Sequence, residues 1–324
     1  MEKFASFQNI HYFCKNMEHN TIVHPTDRPL FSILIPSWNN LPFLQLCVES
    51  IKCHSAYNHQ IIIHINEGSD GTLEWVRQQG FDYTFSEENI GVCLALNMMR
   101  TKDKTDYIVF LNDDMYVLPD WDRALYDEIL SLPDNRFFLS STTIQPHTAG
   151  DSIIVSDYGD SIATFRRDDL LREYRSLSIK DWMGATLPPN IVHRDIWDLV
   201  GGYSVEYSPG MYSDPDFTAK LWFCGIRYMK GLSSSRVYHF ETKSTARVAK
   251  NNGSRQFLMK WGMTSSTFRR FKTRRGEDFS PQYVGTEHSK ALRHHICRSR
   301  LKAVGYLLTG TFGPLWSFIK NTQK

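Results

Sequence analysis

Between residues 30 and 111 two kinds of hydrophobic pattern alternate. Largely apolar runs occur at Phe31-Ser32-Ile33-Leu34-Ile35-Pro36, Gln60-Ile61-Ile62-Ile63-His64-Ile65 and Tyr107-Ile108-Val109-Phe110-Leu111. Their length and β-branched content predict strands buried on both faces. Phe81–Phe85 is a further strand candidate. Between these runs, apolar residues recur at helical spacing over Leu41–Cys53, Thr72–Gln79 and Val92–Met99, and Gly80 ends the second of these helices. Strands alternating with helices predict an α/β domain with a mainly parallel sheet. Residues 1–29 read as a lead-in closed by the breaker cluster His24-Pro25-Thr26-Asp27-Arg28-Pro29.

The polar clusters carry the chemistry. Ser37–Asn40, Asn66–Gly71 and Asn112–Asp114 each follow a predicted strand directly. In open α/β sheets the carboxyl ends of the strands are where ligands bind. Carboxylates there, Asp113 and Asp114, can hold a divalent cation and through it phosphate oxygens. Glycines 68 and 71 are adequately explained by the turn, and Asp70 is placed to cap the next helix. Further on, Asp214 with Pro215 behind it has the form of a helix start.

The segments FSILIPSWNN, NEGSDGT, ENIGVCLALN and YIVFLNDDM, in this order and at this spacing, resemble glycosyltransferase family 2. The resemblance covers roughly residues 31–245. It implies a GT-A fold, Rossmann-like with flanking helices, for a catalytic domain at 30–246. It also implies a nucleoside-diphosphate-sugar donor and inversion at the anomeric carbon. A divalent cation, Mn²⁺ or Mg²⁺, would sit on Asp114, with Asn112 facing the ribose and Asp113 beside it. Asn112 stands where the family often has its first Asp, so direct metal contact there is not implied. Pro36, Ser37 and Asn39 would line the nucleotide cleft, Asn66 or Glu67 would contact base or ribose, and Asn89 would lie on the nucleotide side.

Tyr212-Ser213-Asp214-Pro215-Asp216-Phe217 resembles the family's acidic pair opening a helix. That makes Asp214 the base that takes the proton of the acceptor hydroxyl. Ser213 replaces a common acid, which leaves Asp216 as the alternative. His239 matches a late strand-end His that completes the metal site or contacts the diphosphate; imidazole suits Mn²⁺. Lys243 and Arg247 are candidates for clamping the departing diphosphate. Trp182 and the Gly201-Gly202-Tyr203 segment fall on the acceptor side, where Trp182 either stacks on a sugar or packs in the core. The acceptor implied is a saccharide or lipid-linked saccharide. A nucleotidyltransferase acting on a sugar phosphate, or a non-catalytic sugar-nucleotide-binding protein, are the other classes. No Gly-rich phosphate loop near the first strand favours the former.

Charge changes the picture at the C-terminus. The net charge is only +2, but from Arg247 onward 16 Lys and Arg stand against 3 Asp and Glu, a balance of +13 that leaves −11 on the rest. Residues 247–324 therefore form a basic helical extension expected to meet an anionic partner, of which an anionic membrane surface is the favoured one. The apolar stretch Ala303–Ile319, interrupted by Gly310, Gly313 and Pro314, is short for a span and fits an interfacial helix or a packed cap. No nucleic-acid module accompanies the cations. The six cysteines form no CxxC pair and read as mostly reduced and buried, which with the lack of an apolar leader points to a cytoplasmic protein, peripheral on the membrane.

Overall fold

The computed structural model describes residues 28–242, 251–281 and 289–321, with side chains on the last helix described as far as Tyr306. Its chain order begins β1 (Phe31–Trp38), α1 (Leu41–His54), β2 (Gln60–Asn66), α2 (Thr72–Gln79), β3 (Asp82–Ser86), α3 (Gly91–Arg100) and β4 (Tyr107–Phe110). It continues with β5 (Met115–Val117), α4 (Trp121–Ser131), β6 (Phe137–Gln145), β7 (Ile153–Val155), α5 (Arg167–Glu173), β8 (Trp182–Met183), β9 (Asn190–His193) and α6 (Arg194–Val200). It closes with α7 (Ser213–Phe223), β10 (Tyr228–His239), α8 (Gly253–Trp261), α9 (Ser265–Phe268) and α10 (Lys290–Asn321).

The strands form one sheet in the order β3-β2-β1-β4-β9-β6-β10-β5, with β7 on β6 and β8 on β10. The predicted parallel sheet is its first half: β3, β2, β1 and β4 all run the same way. The second half is mixed, because β9 enters antiparallel between β4 and β6 and β5 runs antiparallel to β10. β2 is buried throughout and β1 from Phe31 to Ile35, because helices cover both faces. Alternate residues serve opposite cores: Ile33, Ile35, Ile61, Ile63 and Ile65 pack with α1 and Trp121, while Leu34 and Ile62 pack with α3 and Phe217. The α2 helix ends where Gly80 takes a left-handed conformation, as the pattern predicts.

Parallel register brings the strand ends level: Trp38 pairs with Asn66, and Asn66 with Ser86. Past Phe110 the chain reaches Asn112–Asp114 on the same edge. Asp70 ties the helices behind this edge together. Its carboxylate accepts from Thr72 N at the start of α2 and from Leu41 N at the start of α1.

Two expectations change. Among the described residues only Cys47 and Cys93 are both free and buried; Cys224 and Cys297 are free but exposed, and Cys53 is disulfide-bonded. The C-terminal helix runs unbroken through Gly310, Gly313 and Pro314. Among the described residues no helix is long and apolar enough to cross a membrane. The extension packs on the catalytic body over its first part, where Phe257, Leu258, Phe268 and Leu292 are buried. The side chains of the apolar run from Leu307 onward, on which the membrane expectation rests, lie outside the described residues, as do Lys243 and Arg247.

Candidate active site

A cleft of about 650 Å³ opens along the carboxyl edge of the parallel strands. Pro36, Ser37, Asn66, Asn89, Asn112, Asp113 and Asp114 line it from the first half of the chain, and Asp214, His239 and Thr242 from the second. Each is held by local geometry. Ser37 Oγ donates to Asp113 Oδ2 at 2.7 Å. Asn66, almost fully buried, accepts from Ile90 N at 2.9 Å, so it ties the end of β2 to the loop before α3. Asn89 accepts from Gly91 N, a local turn that starts α3. Gly91 has φ +77°, and a Cβ there would lie 2.6 Å from Pro209 Cα, so the backbone of residues 208–210 closes directly over it.

Asp114 and His239 meet because β5 pairs antiparallel with the end of β10, with Met115 opposite His239. Asp114 Oδ1 is 3.3 Å from His239 Nε2, and Thr242 donates to Asp114 Oδ2 through both N and Oγ1. Burial by itself would raise the Asp114 pKa. The charge and hydrogen bond of His239, then the two bonds from Thr242, outweigh it and hold the carboxyl below its usual value. Burial likewise opposes charge on His239, but Asp114 overcomes it and the imidazole pKa is raised. On its other side, His239 Nδ1 lies 3.1 Å from Gln145 Oε1. The Gln145 amide nitrogen donates to Thr148 O and Glu241, so its oxygen must accept and Nδ1 carries a proton.

Across the cleft, Asp214 lies in the first turn of α7 with Tyr203 Oη donating to its Oδ1 at 3.2 Å. Burial pushes its carboxyl up from 3.8 to about 7, although the Tyr203 hydrogen bond and the positive charge of Arg275 both pull it down.

Three of the expected site residues are not on the cleft lining. Asp216 is fully buried, with its oxygens bound by Trp261 Nε1 at 2.8 Å and Lys260 Nζ at 3.1 Å. It anchors α8, and the structure leaves Asp214 as the carboxylate on the cleft. Asn39 and Glu67, both with positive φ, bind each other at 2.9 Å, and Asn39 Oδ1 also accepts from Ser69 N. They clasp two loops together. Trp182 packs in the sheet, donating to Thr142 Oγ1, against Gly231 where a Cβ would lie 1.8 Å from the indole. Its position resolves the two readings of Trp182 toward the core. Asn97 bonds both N and O of Tyr203, so the Gly-Gly-Tyr segment is held against α3.

Residues 32–154 match the family model Glycosyl transferase family 2. This stretch is a family 2 glycosyltransferase domain. An uncharacterized protein, y4gI of Sinorhizobium fredii, is 26% identical over 247 residues, which are 67% of this chain and 25% of that protein. The chain thus spans about a quarter of the length of this curated relative. Among solved structures, GalNAc-T7 with UDP, GalNAc and Mn²⁺ aligns at TM-score 0.50 and 15% identity, over 70% of this chain and 45% of that one. S. aureus TarS 1-349 in complex with UDP aligns at TM-score 0.50 and 12% identity, over 86% and 71%. At such identities the likeness is one of fold, and it is the GT-A arrangement that the motifs imply.

The family motifs account for the first half of the cleft, whereas Gln145 and Thr242 enter it from later segments, and Tyr203 and Arg275 act on Asp214 without lining it. Thr242 follows the strand-end His in sequence. Tyr203 had a signal only as the aromatic after two glycines, and Gln145 and Arg275 had none.

Proposed function

We propose that the protein is a metal-dependent inverting glycosyltransferase that moves a sugar from a nucleoside-diphosphate-sugar to a hydroxyl of a saccharide or lipid-linked saccharide. The observation that carries this is the placing of two unlike carboxylates on one cleft. Asp114 is kept ionised beside His239, and Asp214 is tuned to about 7. One environment suits charge binding and the other proton transfer near neutral pH.

The donor set fits a divalent cation. Asp114 Oδ1 and His239 Nε2, a carboxylate oxygen and an imidazole nitrogen 3.3 Å apart on the cleft, would hold it. With one proton on Nδ1 facing Gln145, a bound cation would take the place of the proton that His239 Nε2 shares with Asp114. No group of three His, Cys, Asp or Glu ligands exists among the described residues. That is in keeping with an ion that takes its remaining ligands from water and substrate phosphates. When bound, such an ion supplies positive charge for the leaving diphosphate.

The protein's own residues do the rest. Ser37 fixes Asp113, and Asn66 joins the loops that face the nucleotide. Asp214 accepts the acceptor's hydroxyl proton as the acceptor oxygen bonds to the anomeric carbon. The bond from that carbon to the diphosphate oxygen breaks on the opposite face, which inverts the centre. Tyr203 holds the Asp214 carboxylate in place.

Calorimetry with nucleoside diphosphates, with and without Mn²⁺, tests the reading. Asp114→Asn keeps the shape and the Thr242 contacts on an amide oxygen but removes the charge. It is expected to abolish the Mn²⁺-dependent part of binding, with a melting curve confirming that the variant folds; unchanged binding refutes the metal assignment.

A further inference from the structure

Beside the cleft, the C-terminal extension builds a second pocket of about 640 Å³, lined by Arg269, Arg270, Arg274 and Arg275 together with His295 of α10. Two carboxylates of the lining answer these four guanidiniums: Asp151 lies 3.7 Å from Arg269, and Glu277 pairs with Arg274. Four guanidiniums against two carboxylates leave an excess of two positive charges. Arg275 Nε is buried and has no hydrogen-bond acceptor among the described residues. A buried donor left without an acceptor is costly, and an anionic oxygen would satisfy it.

The walls are built into the fold. Met183 N donates to Glu277 O, Gly276 N to Met183 O, and Phe279 N to Asp181 O, so residues 276–279 are sewn to β8. Gly276 has φ +90° and approaches Asp151 so closely that a Cβ would lie 2.2 Å from the aspartate Cβ. The pocket also adjoins the cleft. Asp151 lines the pocket and Ile153, two residues on, lines the cleft. Arg275 is near enough to Asp214 for each charge to shift the other's titration.

We propose that this arginine pocket holds a phosphate group of the acceptor substrate, placing the acceptor hydroxyl toward Asp214. The inference rests on the reading of Asp214 as the base and narrows the acceptor to a phosphate-bearing saccharide or saccharide-lipid. Guanidiniums offer paired N–H donors that match phosphate oxygens, and four of them around one concavity select a dianion over a carboxylate.

The probe is inorganic pyrophosphate, titrated calorimetrically in EDTA so that no metal assists binding in the donor cleft. Wild type, Arg269→Gln, Arg270→Gln and Asp114→Asn are compared. Arg269 and Arg270 are exposed, so their replacement leaves the core untouched, and melting curves confirm that the variants fold. Wild type is expected to bind, each arginine variant to bind about tenfold more weakly, and Asp114→Asn to bind like wild type. Absence of wild-type binding overturns the proposal. So does equal affinity in the arginine variants, or loss of binding in Asp114→Asn, which would put pyrophosphate in the donor cleft. A second arm uses phosphatidylglycerol vesicles. If the arginine variants lose vesicle binding while pyrophosphate affinity is unchanged, the pocket is a lipid-headgroup site and the proposal fails. Mn²⁺-dependent nucleoside diphosphate binding is measured on the same proteins; its absence everywhere removes the cleft reading, which the EDTA titration does not depend on.

Discussion

Replacing Asp214 by Asn removes one ionisable group while keeping its shape and its ability to accept from Tyr203. In the folded protein the Asp214 pKa is raised from 3.8 to about 7, chiefly by burial. Between those two values the native state holds a proton that the unfolded chain has released, so stability falls as pH rises. The group's contribution is full below pH 3.8 and is lost by the time pH passes about 7. At about 1.4 kcal/mol per pKa unit the full penalty is about 4 kcal/mol, and water reaching the carboxylate from the cleft brings it nearer 2 kcal/mol. The Asn variant has no such penalty. It should therefore be more stable than wild type at pH 8 by about 2–4 kcal/mol, with the gap closing toward pH 4.

His64 titrates in the same window with the opposite sign, since burial lowers its pKa to about 4. For this reason the quantity to read is variant minus wild type, which cancels His64. Urea unfolding of both proteins at four pH values from 4 to 8 gives it directly. The same substitution should lower transfer by about 10²–10⁴-fold while leaving nucleotide affinity intact, and wild-type kcat/KM should fall tenfold per unit on an acid limb centred near 7. A stability difference that does not change with pH would refute the raised pKa. A variant with normal turnover would refute the base.

Three further outcomes follow from the same geometry. Arg275→Gln removes a charge that lowers the Asp214 pKa, so the acid limb of the pH–rate profile should move to higher pH; a shift to lower pH or none contradicts the proximity of the two groups. Asp70→Ala strips acceptors from Leu41 N and Thr72 N, and urea unfolding should show a loss of about 1–3 kcal/mol with nucleotide binding retained by the refolded protein. Gly201 and Gly202 both have positive φ, but an added Cβ meets nothing within 4 Å at Gly201 and lies 2.3 Å from Asn97 Oδ1 at Gly202. Alanine should accordingly cost about 1 kcal/mol at the first and clearly more at the second, read as the difference between two melting curves.

Much of the first half of this protein was legible along the chain. Short, continuous apolar runs rich in β-branched residues read as strands covered on both faces, and in a parallel sheet the polar residues that end them lie at the edge where the strands finish. Strand ends 37, 66 and 112 therefore meet without any knowledge of tertiary contacts. What the local pattern could not decide was which way particular side chains turn. Asp214 and Asp216 share the first turn of α7, about 200° apart around the helix axis, and both have the sequence signature of a helix start. Only the packing of α8, whose Lys260 and Trp261 claim Asp216, leaves Asp214 to the cleft. Asn39 and Glu67 are similarly claimed by each other. The Asp114–His239 pair joins residues 125 positions apart through an antiparallel pairing within a sheet that the alternation of strands and helices predicts as mainly parallel. Arg275 reaches the neighbourhood of Asp214 from an extension whose sequence spoke only of charge. Periodicity reports the burial of one segment at a time. The partners that set a carboxylate's charge, orientation and role come from segments far along the chain, and close packing alone brings them together.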